Sequence, residues 1–259
     1  MGFRDNLSRK FKEASLPAEL TIFEKTDSTN TRAKEYARAR AGGNPAFFVA
    51  SEQSGGRGRL GKSFLSERGG LYLSYLSYPD MPPSEAILLT VYSAVLLTDI
   101  LSSKYGLSPG IKWVNDVYIG EKKLAGILTE GEFSDDLRRF KYAVVGIGVN
   151  VGRVDFPDEL SDIATDLSRE GCVADIADIA IELMRGLLEF SPDKKSEYIK
   201  KYREYSMLIG RRVKVLAPTG DYLAEAVGID DDAALVVKND NNERLRLTTG
   251  DVSIKIGGF

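Results

Sequence analysis

No histidine occurs among the 259 residues of the chain. Its absence removes serine–histidine triads, imidazole acid/base chemistry and every histidine metal site together. Catalysis, if there is any, falls to Lys, Arg, Asp, Glu or the backbone. Cysteine occurs once, as Cys172, so no internal disulfide can form and a thiolate metal site is disfavoured. A reducing cytoplasm suits such a chain. Charge of neither sign dominates: 35 basic residues stand against 38 acidic ones, a net of -3. Nothing in that balance calls for nucleic acid or an anionic membrane as partner. The opening MGFRDNLSRKFKEAS is charged and lacks the apolar centre of a secretory signal, and a Met-Gly start is too common to mean a lipid anchor. The longest apolar run, AILLTVYSAVLLTDI, is interrupted by Thr90 and Ser93 and ends at Asp99, short of the roughly 20 residues of a membrane span. There is no internal repeat and no low-complexity tract.

What is present is enough apolar material, 43% of residues, to bury a core in one large domain or a large one plus a small one. After Asp27, the segment STNTRAKEYARARA places Ala33, Tyr36, Ala37 and Arg40 at helical spacing, with Asp27 or Ser28 as N-cap. AFFVASEQ reads as a strand, and GLYLSYLSY alternates with period two and reads as another. PPSEAILLTVYSAVLLTDILSSKYG, opened by prolines and closed by Gly106, predicts a buried helix lying across a sheet. GIKWV and NDVYIGEKKLAGILTEGEF predict two or three strands with a turn at Gly120, and YAVVGIGVNV a further one. From Asp175 to about Met207 the pattern is helical, broken at Ser191-Pro192. Five short strands follow, in GRRVKVL, YLAEAVGI, ALVVKN, ERLRLTT and VSIKI, and suggest a small barrel of SH3-like size as a second domain.

GGRGRLGKSF, residues 55–64, satisfies two phosphate-binding patterns at once. Gly56, Gly61, Lys62 and Ser63 fit the P-loop spacing, and Gly56, Gly58 and Gly61 fit the dinucleotide fingerprint. Either motif must open a helix whose free N–H groups hold the phosphate. Only FLSER separates Lys62-Ser63 from Gly69-Gly70 and the next strand, so that helix has no room. The stretch still offers a glycine-rich backbone with Arg57, Arg59 and Lys62 and no acidic residue between Gln53 and Phe64, which suits a polyphosphate. KWVND brings Lys112, Asn115 and Asp116 to a strand end, where a carboxylate can hold magnesium, take a proton from an amine, or simply cap a turn. Lys123 stands just before an apolar strand with Gly126 inside it, and glycine in a strand often marks close approach of a ligand. GIGVN, with Gly146 and Asn150, is open to reading as a bulge and turn.

Taken in order, DSTN, GRGRLGKSF, LYLS, KWVND, KKLAGIL and GIGVNV resemble the biotin–protein ligase family from about Asp27 to Val151. The helical segment and terminal strands extend the likeness to the C-terminus. The resemblance implies an α+β chain: a class II synthetase-like catalytic domain with a mixed, mainly antiparallel sheet over residues 1–206, then an SH3-like barrel over 207–259. It implies that biotin and ATP give biotinyl-5′-AMP and pyrophosphate, with Mg2+, and that the biotinyl group then passes to one lysine of a biotin carboxyl carrier protein domain. By the same resemblance Ser28 and Thr29 hydrogen-bond the ureido ring, Gln53 lies near it, and Gly56 allows close approach. Arg57 and Arg59 meet carboxylate and phosphate oxygens, and Lys62, Phe64, Lys112 and Asn115 join them around the adenylate. Lys123 touches both the biotin carboxylate and the α-phosphate. Gly126 and Gly146 line the biotin pocket, and Asn150 sits by the nucleotide. Asp116 either binds the metal or serves the acceptor lysine. A homodimer through sheet edges is implied by resemblance alone.

The chain departs from the family pattern at Leu60, Phe64 and Val114, where arginine, tryptophan and proline are usual. Some relatives carry a DNA-binding domain of about sixty residues before the ligase. Only 26 residues precede DSTN, so an enzyme and no repressor is expected. A lipoate–protein ligase, a noncatalytic biotin or carrier-binding protein and a P-loop NTPase are the competing readings.

Overall fold

The charged opening segment, given no element above, is a helix. The computed structural model describes residues 2–253 apart from 41, 135, 137, 218, 219 and 249. Helix α1 (Phe3–Ala14) buries Leu7 completely, and its Asn6 and Lys10 side chains reach Asp175, the residue that caps a later helix. The chain continues through β1 (Glu19–Phe23), α2 (Thr29–Arg38), β2 (Ala46–Ala50) and β3 (Gly70–Ser77) to α3 (Ile87–Tyr105). Strands β4 (Pro109–Lys112), β5 (Asp116–Ile119), β6 (Lys122–Phe133) and β7 (Phe140–Asn150) follow, then α4 (Asp158–Ser161), α5 (Ile176–Leu188) and α6 (Lys195–Glu204). These strands form one sheet in the order β1-β2-β3-β7-β6-β5-β4. Only β1 and β2 pair in parallel, so the sheet is mixed and mainly antiparallel, as expected.

Helix α3 ends where Gly106 adopts a left-handed conformation (φ 64°) that a side chain would disfavour. With the 3-10 turn before it, the helical segment runs Pro83–Tyr105, the span expected between the prolines and Gly106, and is long and apolar enough to cross a membrane. Thr90 and Ser93 do not interrupt it, because Thr90 pairs with Thr129 and Ser93 returns its hydroxyl to the Leu89 carbonyl. The helix instead lies in the core, with Leu88, Val91, Leu97 and Leu101 fully buried among residues from the sheet, α5 and α6.

The period-two alternation of β3 has a different meaning from a half-wet strand. Leu71, Leu73 and Tyr75 enter the large core, while Tyr72, Ser74 and Leu76 are equally buried on the opposite face. That second face is covered by α2, whose Ala33 and Ala37 pack with Phe48, Leu76 and Val144. The small polar residues of the strand therefore mark a buried site. Glycines of β6 and β7 share that region: Gly126 pairs with Gly148, and Gly146 with both Ser74 and Leu128. Both ladders are regular there, so the bulge-and-turn reading of GIGVN does not hold.

Beyond α6 come β8 (Arg212–Leu216), β9 (Tyr222–Ile229), β10 (Leu235–Asn239), β11 (Arg244–Leu247) and β12 (Asp251–Ser253). They form an antiparallel sheet in the order β11-β10-β9-β8-β12. The last strand returns to the first of the meander, the connection of an SH3-like barrel. The end of the expected VSIKI strand lies outside the described residues. Val213, Val215, Ala226, Leu235 and Val237 join the main core. Trp113 Nε1 donates to the Ala233 carbonyl at 2.8 Å, and Arg203 Nε to that of Ile229 at 2.6 Å.

Candidate active site

No helix follows Lys62. Residues 55–64 fold back as a small flap in which Arg57 bridges Ser63, Phe64 N donates to the Gly56 carbonyl at 3.0 Å, and Gly58 N to that of Lys62 at 2.7 Å. The tip is a 3-10 turn, Arg59–Gly61, with Leu60 71% exposed. Gly56 lies outside the cavity lining; a Cβ there would stand 2.3 Å from both the Phe64 carbonyl and Ser66 Oγ, so glycine is needed for the flap to close on itself.

Beneath the flap is a cavity of about 260 Å³. At one end, the α2 N-terminus and the end of β2 bring Ser28, Thr29, Asn30 and Gln53 together. Gln53 Oε1 accepts from Thr29 N at 2.7 Å and Thr29 Oγ1 at 3.0 Å, while Gln53 Nε2 donates to Ser66 Oγ at 3.0 Å. The floor is glycine: a Cβ on Gly148 would be 2.6 Å from the Phe64 ring, one on Gly126 3.1 Å from that ring, and one on Gly146 2.3 Å from Asn30 Oδ1.

Arg57, Arg59, Lys62, Lys112 and Lys123 also line the cavity, with a single carboxylate, Asp116; Arg57 Nη2 donates to Thr31 Oγ1 of α2 at 3.0 Å. Lys123 and Asp116 lie on the paired strands β6 and β5, and their Nζ and Oδ1 form an ion pair at 2.7 Å. Lys123 Nζ is also 5.7 Å from the centroid of the Phe64 ring. Arg59 Nη1 donates to Asn115 Oδ1 at 3.3 Å, and Asn115 Nδ2 to the Ile127 carbonyl at 2.8 Å, tying the flap tip to KWVND and both to the floor. Lys112 Nζ stands 3.4 Å from the Tyr118 hydroxyl.

Asn150 is placed elsewhere: it is buried, its Nδ2 donates to the Thr165 carbonyl at 2.9 Å, and it does not line the cavity. Sequence reasoning gave no role to Asn30, Tyr72, Tyr118 or Gly148, which do line it. Asn30 and Gly148 stood inside quoted motifs, and the alternation of β3 was a signal for Tyr72.

Glu130 stands behind the lining. Its Oε1 is 2.5 Å from Lys34 Nζ, and its Oε2 accepts from Asn30 Nδ2 at 2.8 Å and lies 3.5 Å from Arg57 Nη2. Burial pushes the Glu130 carboxyl up, but hydrogen bonds from Lys34 and Asn30, with the charges of Lys34 and Arg57, outweigh it and hold the group below its usual 4.5. A carboxylate depressed on folding stabilises the fold above its unfolded value, and that contribution is lost as pH falls through the lower folded value. The Glu130→Gln chain is therefore expected to lose less stability than wild type between pH 5 and pH 3, which urea midpoints at the two pH values would show.

A slot with neutral hydrogen-bonding side chains, a glycine floor and five cations can hold a small organic acid with its carboxylate against a polyphosphate, and fold and site together define a protein of that class. Residues 22–150 match the biotin/lipoate A/B protein ligase family, and residues 208–255 the biotin protein ligase C terminal domain. The bifunctional ligase/repressor BirA of Bacillus subtilis is 31% identical over 238 residues, 88% of this chain and 71% of that protein. The biotin–acetyl-CoA-carboxylase ligase of Mycobacterium tuberculosis is 30% identical over 228 residues, 84% of this chain and 82% of its own. The chain spans 66% of the BirA of Bacillus spizizenii and 61% of that of Escherichia coli. A biotin protein ligase from Aquifex aeolicus, solved in complex with biotin and ATP, superposes with a TM-score of 0.75 and 28% identity, covering 91% of this chain and 97% of that one. The chain belongs to the biotin–protein ligase family.

Proposed function

We propose that this chain joins biotin to ATP, forming biotinyl-5′-AMP and releasing pyrophosphate, and then transfers the biotinyl group to one lysine of a carrier domain in a biotin-dependent carboxylase. The observation that carries the proposal is the cavity itself, lined by five cations and by the hydrogen-bonding side chains of Ser28, Thr29, Asn30 and Gln53, in a chain that superposes on a ligase solved with biotin and ATP. In the first step a carboxylate oxygen attacks the α-phosphorus and pyrophosphate leaves. Two anions must approach, so Lys123, Arg57 and Arg59 screen them and stabilise the charge that develops. A carboxylate is already a nucleophile and needs no base, so the lack of histidine is no obstacle. In the second step the acceptor amine attacks the acyl carbon and AMP leaves. That amine, with a free pKa of about 10.4, must lose a proton, and Asp116 is the carboxylate at hand.

A magnesium ion fits this site as a companion of ATP. The described residues hold no group of three or more metal-ligating side chains, and one carboxylate with substrate phosphates is a usual magnesium environment. Asp116 would be the protein ligand, a role alternative to that of proton acceptor, and the ion would supply screening of phosphate charge. The lipoate reading is weaker, because Ser28, Thr29, Asn30 and Gln53 offer hydrogen bonds that a dithiolane ring cannot use. Residues 1–206 form the catalytic unit and 207–259 the terminal one, and the protein works in the cytoplasm, consistent with its single Cys172.

Exchange of labelled pyrophosphate into ATP tests the proposal. Exchange that requires biotin is the expected result. Exchange with lipoate but not biotin, or ATP hydrolysis without any acid, would overturn it.

A further inference from the structure

Strand β6 reaches Lys123 through an irregularity. Against β5, Asp116 stands opposite Gly126, Val117 opposite Ala125 and Tyr118 opposite Lys123, so Leu124 has no partner and forms a one-residue bulge. The bulge decides which way Lys123 points. In a regular strand successive side chains alternate faces, and Lys123 would share the face of Ala125 and Ile127, which lie in the core at 0% and 1% exposure. With the extra residue it shares the face of Gly126 instead, where its Nζ reaches Asp116 at 2.7 Å.

The bulge also lies where the sheet runs out. On the other side β7 pairs with β6 only as far as Val149 opposite Ala125 and ends at Asn150, so nothing in β7 stands beside Lys123. The connection after α4 takes that place. Ala164 bridges Lys123 in parallel: Lys123 N donates to the Ile163 carbonyl and Thr165 N to the Lys123 carbonyl, both at 2.9 Å. An amide N–H has one proton to give, and Lys123 gives it here. The segment is itself tied to the strand it replaces, since Asn150 Nδ2 donates to the Thr165 carbonyl at 2.9 Å and the Asn150 carbonyl accepts from Leu167 N at 3.1 Å. Thr165 and Asn150 are both buried, so a bond lost between them is not regained from bulk water.

We infer that Thr165 is a positioning residue for Lys123: its backbone N–H, together with the Ile163 carbonyl, closes the ladder that the bulge and the end of β7 leave open, and so keeps the ammonium aimed into the cavity. The inference rests on the ligase reading above and adds to its machinery a residue that does not itself line the cavity. Thr165 acts through its main chain. A side chain that keeps the N–H therefore serves, and proline, which has none, does not.

Biotin-dependent pyrophosphate exchange tests this by comparing wild type with Thr165→Ser, Thr165→Pro, Lys123→Ala and the Lys123→Ala chain that also carries Thr165→Pro. Serine is expected to leave kcat within about twofold of wild type and proline to lower it at least about tenfold, because a charge that stabilises the transition state must be preorganised. In the Lys123→Ala chain the same proline is expected to cost less than about threefold, since two changes that act through one group are not additive. A larger cost there would mean that the segment supports the fold and not the lysine, and would overturn the inference. Exchange by Thr165→Pro at the wild-type rate, or an equal loss in Thr165→Ser, would overturn it too. If circular dichroism shows Thr165→Pro to be unfolded, Asn150→Ala, which removes the side-chain partner of the Thr165 carbonyl, is held to the same expectations in both backgrounds. A wild-type chain that shows no biotin-dependent exchange would overturn the ligase reading itself, a result distinct from any difference among the variants.

Discussion

Replacing Lys123 with alanine is expected to lower kcat/KM for biotin-dependent pyrophosphate exchange by about 100-fold to 1000-fold, the usual effect of deleting one preorganised group that stabilises developing charge. The size follows from how rigidly the structure holds the ammonium. Lys123 lies in β6 with its backbone pinned on the outer side, its N donating to the Ile163 carbonyl at 2.9 Å and its carbonyl accepting from Thr165 N at 2.9 Å. The side chain projects past Gly126, where a Cβ would be 3.3 Å from its Nζ, to Asp116 and the Phe64 ring. Such a charge needs little reorganisation when the carboxylate and α-phosphate meet. Because Asp116 keeps 21% of its side-chain surface exposed, losing its partner leaves it partly solvated, and a melting temperature within a few degrees of wild type is expected. Arginine at 123 is not expected to restore activity, since a planar fork cannot replace a compact ammonium in so small a space. A loss of less than tenfold in the alanine variant would remove Lys123 from the chemistry.

The second large effect is expected at Gly146→Ala, through both stability and affinity. The added Cβ would lie 2.3 Å from Asn30 Oδ1 and 2.9 Å from its Cγ, and Asn30, 4% exposed, could move only by giving up its hydrogen bonds to Glu130 and Ser74. Overpacking costs about 1–3 kcal/mol, and each hydrogen bond lost when Asn30 moves adds about 1 kcal/mol. A fall of about 10 °C in melting temperature is expected for a chain of this size, together with a rise of at least about tenfold in KM for biotin. Gly228→Ala is the matched control, because nothing lies within 4 Å of a Cβ there. Melting and KM values for Gly146→Ala no different from those of the control would refute the role assigned to this glycine.

How far these sites could be read in advance depended on how local their causes are. Helix α3 was legible because prolines open it, Gly106 closes it and apolar residues fill it. The terminal strands were legible through the turn residues between them. The P-loop and dinucleotide readings could be dismissed by counting residues, since a helix cannot fit between Lys62 and Gly70. Helix α1 escaped because Leu7 is its only fully enclosed residue and the rest of its face is charged or partly exposed. Strand β1 is five residues on the sheet edge, paired only with β2, too short for its alternation to stand out. Asn150 fell in a motif assigned by likeness, but its amide is consumed by Thr165, fifteen residues on. The contact between Glu130 and Asn30 was invisible for a different reason. Residues 30 and 130 are 100 apart in sequence, and nothing in either neighbourhood records a contact that only the completed sheet creates.

Helix α3 also bears on how the protein is made. Its enclosure depends on β6 and β7 and then on α5 and α6, all of which lie later in the chain. About a hundred residues must be added after Tyr105 before α6 is complete, which at 5–20 residues per second takes roughly 5–20 s. Until those elements emerge, the 23-residue segment, whose most apolar 18-residue window has a mean hydropathy of 1.7, lacks part of its native cover. Its burial in the finished fold is therefore completed only by elements made after it, residues 106–204.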